Sequence, residues 1–264
     1  MKPTQALWSA AFTAACLLPG LALAAGPFDG TWKAQMDSVA QESPPDEYEL
    51  RDAMFRCRSC APGYEIRADG SDQKVTGHSY FDTVALEVVG PRTVVRTSKL
   101  HGRLIARETL VVSDDGGSLT QLIEDNSGAK PVTWSQLSSR VSPAPAGAHA
   151  LSGSWKVQKM PGASDAGIIV IYRDGGDTLA MDYNGMGFDA RFDGKPVPMK
   201  NDPGGTQVAL RRPSPRVIEE TDSREGKVTA RTTMTVSTDG STIEVVMRDI
   251  ARDTTTSYKM VRRP

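Results

Sequence analysis

The feature that most constrains this chain of 264 residues is an internal repeat at a shift of about 124 residues. Gly30-Thr31-Trp32-Lys33 returns as Gly153-Ser154-Trp155-Lys156. Further pairs keep nearly the same shift: Arg67 and Arg191, Val84-Ala85-Leu86 and Val208-Ala209-Leu210, Arg107 and Arg231, Asp115-Gly116 and Asp239-Gly240. A near-constant shift at so many positions indicates two copies of one unit of roughly 120 residues, which is an ordinary domain size.

Alternating side chains predict that each copy is built from β-strands. In copy two, every second residue from Val228 to Val236 is apolar or small, and the residues between them are polar or charged. This period of two is typical of a strand with one buried face. Ser237-Thr238-Asp239-Gly240 is a turn signal, after which the strand pattern resumes. The spacing of such turns predicts about eight antiparallel strands per copy, in a barrel or a curved sandwich.

One segment of copy one leaves an alternative open. Ser43-Pro44-Pro45-Asp46 is similar to the start of a helix. Residues 46–55 therefore form either a strand, as the repeat suggests, or a short helix.

The two tryptophan segments resemble the first strand of lipocalin-like (calycin) barrels. Phe28-Asp29-Gly30-Thr31-Trp32-Lys33 and Leu151-Ser152-Gly153-Ser154-Trp155-Lys156 each place Gly-x-Trp at the start of a strand. Asp193–Pro198 (Asp-Gly-Lys-x-x-Pro) also looks like uncharacterised secreted bacterial proteins with lipocalin-like domains. The resemblance implies an all-β fold of two tandem lipocalin-like antiparallel barrels that bind small apolar ligands inside or proteins at the rim. It implies no catalytic residues.

This interpretation divides the chain into a signal peptide over residues 1–24, a first barrel over 25–138, a linker over 139–150 and a second barrel over 151–264. Ser, Pro, Ala and Gly dominate the linker, as expected of a connecting segment. A large ring near the end of a first strand can plug one mouth of a barrel. We therefore expect Trp32 and Trp155 to be structural plugs, with a role in ligand contact as the alternative.

The first 24 residues have the pattern of a secretory signal peptide. Lys2 provides the positive charge, an Ala- and Leu-rich stretch follows, and Ala22-Leu23-Ala24 matches a cleavage site. We expect cleavage after Ala24 and a periplasmic or secreted protein with no membrane span in the mature chain. The alternatives are an uncleaved membrane anchor and a lipoprotein modified at Cys16.

Composition and charge exclude two classes of protein. The chain has 31 Lys and Arg against 32 Asp and Glu, a net charge of −1. Removal of residues 1–24, which hold one basic and no acidic residue, makes it −2. This balance argues against nucleic acid as a partner, and 39% hydrophobic residues argue against several membrane spans.

Cys57 and Cys60 are the two cysteines left after cleavage, and copy two has no counterpart of them. In an oxidising compartment such a pair predicts a disulfide. Arg56 and Arg58 would favour a thiolate, which leaves a redox-active pair as one alternative. A metal site is a second alternative, but a structural zinc site needs four ligands and no further cluster is evident. We therefore predict a local structural disulfide, with no metal and no cofactor.

The remaining polar residues give no catalytic pattern. His78, His101 and His149 are scattered, and only His78 falls where a barrel mouth is expected. Arg107 and Arg231 are expected outside the barrels, paired across strands, or else as an anion-binding lining. No nucleophile elbow, zinc-protease motif or P-loop is present.

We therefore predict a non-catalytic periplasmic or secreted binding protein for a small apolar or amphipathic ligand, and the pattern singles out no ligand-binding residue. The alternative is a protein-interaction module with self-filled barrels, either an envelope assembly factor or a hydrolase inhibitor. The aromatic content of 6% argues against a roomy aromatic-lined pocket.

Overall fold

The computed structural model describes residues 26–264, so the expected signal peptide and its cleavage site lie outside the described residues. Strands dominate, joined by turns and one 3₁₀ turn at Asp165–Gly167. The strands of the first copy are β1 (Gly30–Glu42), β2 (Asp46–Arg51), β3 (Met54–Cys57), β4 (Tyr64–Arg67), β5 (Gln73–Lys74), β6 (Thr83–Gly90), β7 (Thr93–Leu100), β8 (Arg103–Val112), β9 (Ser118–Asp125) and β10 (Val132–Ser142). Those of the second copy are β11 (Gly153–Ala163), β12 (Ile169–Asp174), β13 (Thr178–Tyr183), β14 (Met186–Arg191), β15 (Val197–Pro198), β16 (Gln207–Ser214), β17 (Val217–Arg224), β18 (Lys227–Val236), β19 (Thr242–Asp249) and β20 (Thr254–Arg262).

The strands form two nearly closed antiparallel barrels in tandem, which fit a lipocalin-like fold. Each barrel has ten strands instead of the expected eight. The excess comes from short strands such as β5 and β15, of two residues each, which are too short to give a periodic signal. Isolated β-bridges connect segments near the two edges of each sheet. One bridge joins Asp69 to Glu87 in one barrel, and another joins Asp193 to Arg211 in the other.

The two copies exchange their first strands. One sheet has the order β4-β3-β2-β11-β10-β9-β8-β7-β6-β5, and the other has the order β14-β13-β12-β1-β20-β19-β18-β17-β16-β15. We call them barrel 1 and barrel 2. β1 thus lies between β12 and β20, and β11 lies between β2 and β10. Each barrel takes one strand from beyond the sequence boundary expected for it, and β10 extends to Ser142, inside the expected linker.

The similar sequences of β1 and β11 account for the exchange. Gly30 lies opposite Tyr172 in barrel 2, and Gly153 lies opposite Tyr48 at the matching place in barrel 1. Because Gly-x-Trp-Lys opens both strands, each strand presents the same Gly, Trp and Lys at its start. Trp32 accordingly packs in the core of barrel 2 and Trp155 in the core of barrel 1.

Residues 46–51 form a strand, which decides the alternative left open by the sequence. Tyr48 and Leu50 are buried, whereas Glu47 and Glu49, which alternate with them, are more exposed. This alternation suits a sheet with one buried face. A two-residue turn at Asp52 and Ala53, both with positive φ, then leads into β3.

The barrels meet through the ends opposite their tryptophans, which we call the junction ends. Tyr80 of barrel 1 contacts Asp202 and Arg224 of barrel 2. On another side of the junction, Asn184 of barrel 2 forms hydrogen bonds with the loop that holds Lys130. Within residues 26–264, no helix is long and apolar enough to cross a membrane.

Candidate functional site

The tryptophan end of each barrel is closed by the same pair of side chains. Both indole rings are fully buried, and each Nε1 donates a hydrogen bond of 2.8 Å to a backbone oxygen: Trp32 to Phe28 and Trp155 to Leu151. The guanidinium carbon of Arg262 lies 4.2 Å from the ring centroid of Trp32, and that of Arg140 lies 4.0 Å from Trp155. Such stacking adds cation–π attraction to the burial of the ring.

The two arginines also satisfy backbone oxygens at these ends. Arg140 donates to the carbonyl oxygens of Gly116, Ala150 and Ser152 at 2.5, 2.6 and 2.7 Å. Arg262 donates in the same way to Gly240, Pro27 and Asp29. Each tryptophan end therefore holds a buried indole ring and an arginine that stacks on it and satisfies backbone oxygens. Sequence reasoning missed these arginines, although both lie near the end of the last strand of their copy.

The interior of barrel 1 contains an ion pair. Arg96 Nη2 lies 2.5 Å from Glu108 Oε2, and the two side chains are only 13% and 14% exposed. Arg96 also donates to the hydroxyl of Tyr64 at 3.4 Å. Burial opposes the charge of Arg96, but Glu108 and the nearby tyrosines outweigh it and raise the pKa of Arg96 well above its usual value. Opposite charges thus compensate each other inside this barrel.

Two amide side chains also lie inside barrel 1, beside its apolar core. Gln136 Nε2 donates to Gln121 Oε1 at 2.7 Å, and both residues are buried. Ile123 and Val157 pack nearby on the same inward faces of β9 and β11 and are also buried. The interior of barrel 1 is therefore occupied by its own side chains.

Barrel 2 has different residues at the matching positions. On the strands next to it, Arg96 lies opposite Leu86 and Glu108. Glu220 lies opposite Leu210 and Thr232 in the same way. Glu220 therefore takes the place of Arg96, and Thr232 takes the place of Glu108. Glu220 faces inward because it alternates with the fully buried Ile218 on β17.

Glu220 of barrel 2 lacks the compensation that Glu108 has in barrel 1, although the buried Asp174 of barrel 2 is paired with Arg212 at 2.7 Å. Across residues 26–264, no basic side chain lies within ion-pair distance of Glu220, and the buried Oδ1 of Asp222 has no hydrogen-bond partner. Burial raises the pKa of Glu220 well above its usual value, and Asp222 raises it further. Burial together with Glu220 raises the pKa of Tyr258 to about 12.

The interior of barrel 2 is also less tightly closed near the junction end. Tyr258, Met247 and Ala34 occupy the places of Gln136, Ile123 and Val157, and all three are only half-buried. Two further half-buried apolar side chains, Val170 and Met181, pack against the same core. Partly buried apolar side chains therefore share the barrel 2 interior with the carboxyl group of Glu220.

The cysteines lie outside this region. Cys57, the last residue of β3, forms a disulfide with Cys60 in the loop that follows, where copy two has only a short turn. Cys57 is 2% exposed, and Cys60 packs against the core of barrel 1. Glu49 and Glu65 contact the neighbouring arginines, Arg56 and Arg58, so the positive charge beside the disulfide is balanced.

The histidines are not brought together. His78 stacks on Phe81 with ring centroids 4.3 Å apart and meets Tyr64 edge-on, and burial lowers its pKa. His101 is exposed beside Asp82, and His149 contacts the carbonyl oxygen of Gly90. Throughout the described part of the chain, no three His, Cys, Asp or Glu side chains are grouped to hold a metal ion.

The repeated arginines do not form the expected cross-strand pairs. Arg107 lies opposite Glu124 and Arg231 opposite Arg248, and neither arginine is within ion-pair distance of an acid among the residues that the structure describes. Both are exposed. Arg107 instead lines an open groove of about 560 Å³ on barrel 1, together with Leu122 and others.

In comparisons with known proteins, no protein-family model, no curated protein and no solved structure matches this chain.

Proposed function

We propose that this protein is a non-catalytic binding protein of the periplasm or the secreted fraction that holds a small amphipathic ligand in barrel 2. The observation that carries the proposal is the half-buried inner wall near the junction end, formed by Ala34, Met181, Met247 and Tyr258 beside Glu220. An apolar wall with one polar group is the usual composition of a small-molecule site.

The proposal assigns a role to each side of this region. The apolar part of the ligand packs on Met181 and Met247, and its polar end forms hydrogen bonds with Glu220 and Tyr258. The raised pKa of Glu220 favours its neutral form, which both donates and accepts hydrogen bonds. The tandem barrels support a relationship to secreted lipocalin-like proteins, and the Ala22-Leu23-Ala24 site supports export.

Native mass spectrometry of protein purified from the periplasm tests this function. We expect a bound species with the mass of a small lipid, and we expect its loss in Ala34→Phe, which fills the inner wall. Met247→Phe is a second filling variant in case Ala34→Phe does not fold. Val246→Phe, on the outer face of the same strand, is the matched control and should keep the ligand. Absence of a bound species, together with no thermal shift against a lipid panel, contradicts the proposal.

The groove on barrel 1 favours a second candidate function, namely a protein-interaction module for an envelope protein or a hydrolase. Leu122 is 52% exposed in this groove, next to Trp134. An exposed apolar side chain in a concave surface is a common feature of protein interfaces. Capture of one specific envelope protein by the wild type but not by Leu122→Asp supports this candidate, and equal capture by both contradicts it.

A further inference from the structure

One side chain of barrel 1 reaches across the junction onto barrel 2. Tyr80 lies in the loop between β5 and β6. Its hydroxyl donates to Asp202 Oδ1 at 3.0 Å and accepts from Arg224 Nη2 at 2.8 Å. The hydrogen bond with Arg224 involves a charged group and is therefore stronger than one between neutral groups.

The aromatic ring of Tyr80 fits closely against barrel 2. The guanidinium carbon of Arg224 lies 4.7 Å from the ring centroid. A Cβ atom added to Gly204 would lie 2.6 Å from Cζ of Tyr80, so only glycine allows this approach. Gly204 is also the residue that matches Tyr80 at the repeat shift of about 124 residues. The matching loops of the two copies therefore meet here, and only one of them carries the tyrosine.

This contact stands at the mouth of the proposed binding region. Arg224 ends β17 and follows Asp222 by two residues, so it marks the rim above Glu220. Asp202 lies in the loop between β15 and β16, on the neighbouring part of the rim. Tyr80 therefore covers the rim next to the acidic side chains of barrel 2.

The other connections across the junction involve the backbone, unlike the contact of Tyr80. Asn184 is joined to Ala129 and Lys130 by three hydrogen bonds, each of which includes a backbone atom. The chain itself crosses the junction after β1 and after β11. Tyr80, in contrast, is held through its side chain, which can swing away by rotation without breaking backbone pairing.

We propose that Tyr80 is a gate over the junction end of barrel 2, and that release of its hydroxyl from Asp202 and Arg224 admits the ligand. This inference rests on the proposed function for the identity of the admitted molecule. The gate itself, as a control on access to the inner wall, can be measured without a ligand.

Cysteine labelling measures that access. Met247→Cys places a thiol on the inner wall of barrel 2, and Val246→Cys places one on the outer face of the same strand as the matched control. The rate of maleimide labelling is measured with Tyr80 present and with Tyr80→Ala. We expect Tyr80→Ala to speed labelling of the inner thiol by at least about tenfold, the effect of losing one hydrogen bond to a charged group. The outer thiol should react at the same rate in both backgrounds.

Two further measurements separate the gate from the ligand. Tyr80→Phe keeps the ring and removes the hydroxyl, so faster labelling of the inner thiol than in the wild type, with the outer thiol unchanged, supports the gate even if Tyr80→Ala folds poorly. Equal labelling of the inner thiol in all three backgrounds overturns it. Binding of the fluorescent probe N-phenyl-1-naphthylamine is measured in parallel. If labelling responds to Tyr80 but the probe does not bind, the gate stands and the proposed ligand function fails.

Discussion

The two barrels share their tryptophan ends and differ in their interiors. Arg140 covers Trp155 as Arg262 covers Trp32, with nearly the same distances. At the matching place inside, however, barrel 1 has Arg96 and barrel 2 has Glu220. The cap that closes a barrel is thus common to both copies, whereas the interior differs in charge and in packing. The comparison shows that the two copies keep the same strands and the same Trp–Arg contacts, whereas their inward-facing residues differ.

The largest expected effect tests which barrel each tryptophan supports. Trp32→Ala and Trp155→Ala should each lower the free energy of unfolding by about 3 to 5 kcal/mol, the usual cost of removing a buried aromatic side chain. Because the first strands are exchanged, Trp32→Ala should increase amide hydrogen exchange in β12–β20, and Trp155→Ala should increase it in β2–β10. Faster exchange in β2–β10 on Trp32→Ala would contradict the strand order. The half-buried Trp134 provides a control with a smaller effect.

The ion pair of barrel 1 gives the next largest effect. Glu108→Gln leaves Arg96 charged in a buried site, so we expect a loss of about 3 kcal/mol in the free energy of unfolding. Urea denaturation measures this loss. The double variant Arg96→Met, Glu108→Leu should recover most of it, since no charge is then buried. An equal free energy of unfolding for Glu108→Gln and the wild type would show that Glu108 does not stabilise the buried charge of Arg96.

The disulfide gives a smaller effect that is confined to barrel 1. Replacement of both Cys57 and Cys60 by Ser should cost about 2 kcal/mol, because a short closed loop restricts the unfolded chain only modestly. Amide hydrogen exchange should rise near β3 and β4 and stay unchanged in barrel 2. The wild type should also resist thiol alkylation until it is reduced, and rapid labelling of both cysteines would contradict this.

The smallest expected effect depends on pH and has the opposite sign. Below the ordinary pKa of glutamate, 4.5, Glu220 is protonated in both the folded and the unfolded protein. As pH rises, the unfolded chain releases this proton first, because burial and Asp222 raise the pKa in the folded state. The free energy of unfolding therefore falls, until the folded state ionises as well.

Glu220→Gln removes this loss. The variant should match the wild type at pH 4 and be more stable by on the order of 1 kcal/mol at pH 8. The groups near Glu220 are Asp222 on the same strand, Tyr172 on β12 and Tyr258 on β20. The exposed Glu219 supplies the control, since Glu219→Gln should leave stability unchanged at both pH values.

The sequence predicted the barrels because alternation and turn signals depend on local residues. It could not predict the strand exchange, because β1 and β11 open with almost the same residues, and these residues do not indicate which barrel each strand joins. The inner wall was missed for a related reason. Alternation places Glu220 on the inward face, but whether a basic residue faces it depends on strands that are distant in sequence. The caps of Arg140 and Arg262 likewise depend on contacts with strands far along the chain.

The exchange of first strands also determines when each barrel can close during synthesis of the chain. Among the strands that the structure describes, β1 comes first along the chain, and one of its neighbours, β20, comes last. Barrel 2 therefore cannot close before β20 has been synthesised, long after β1. Barrel 1 in turn needs β11 from the second copy. Closure of either barrel thus requires strands from both copies.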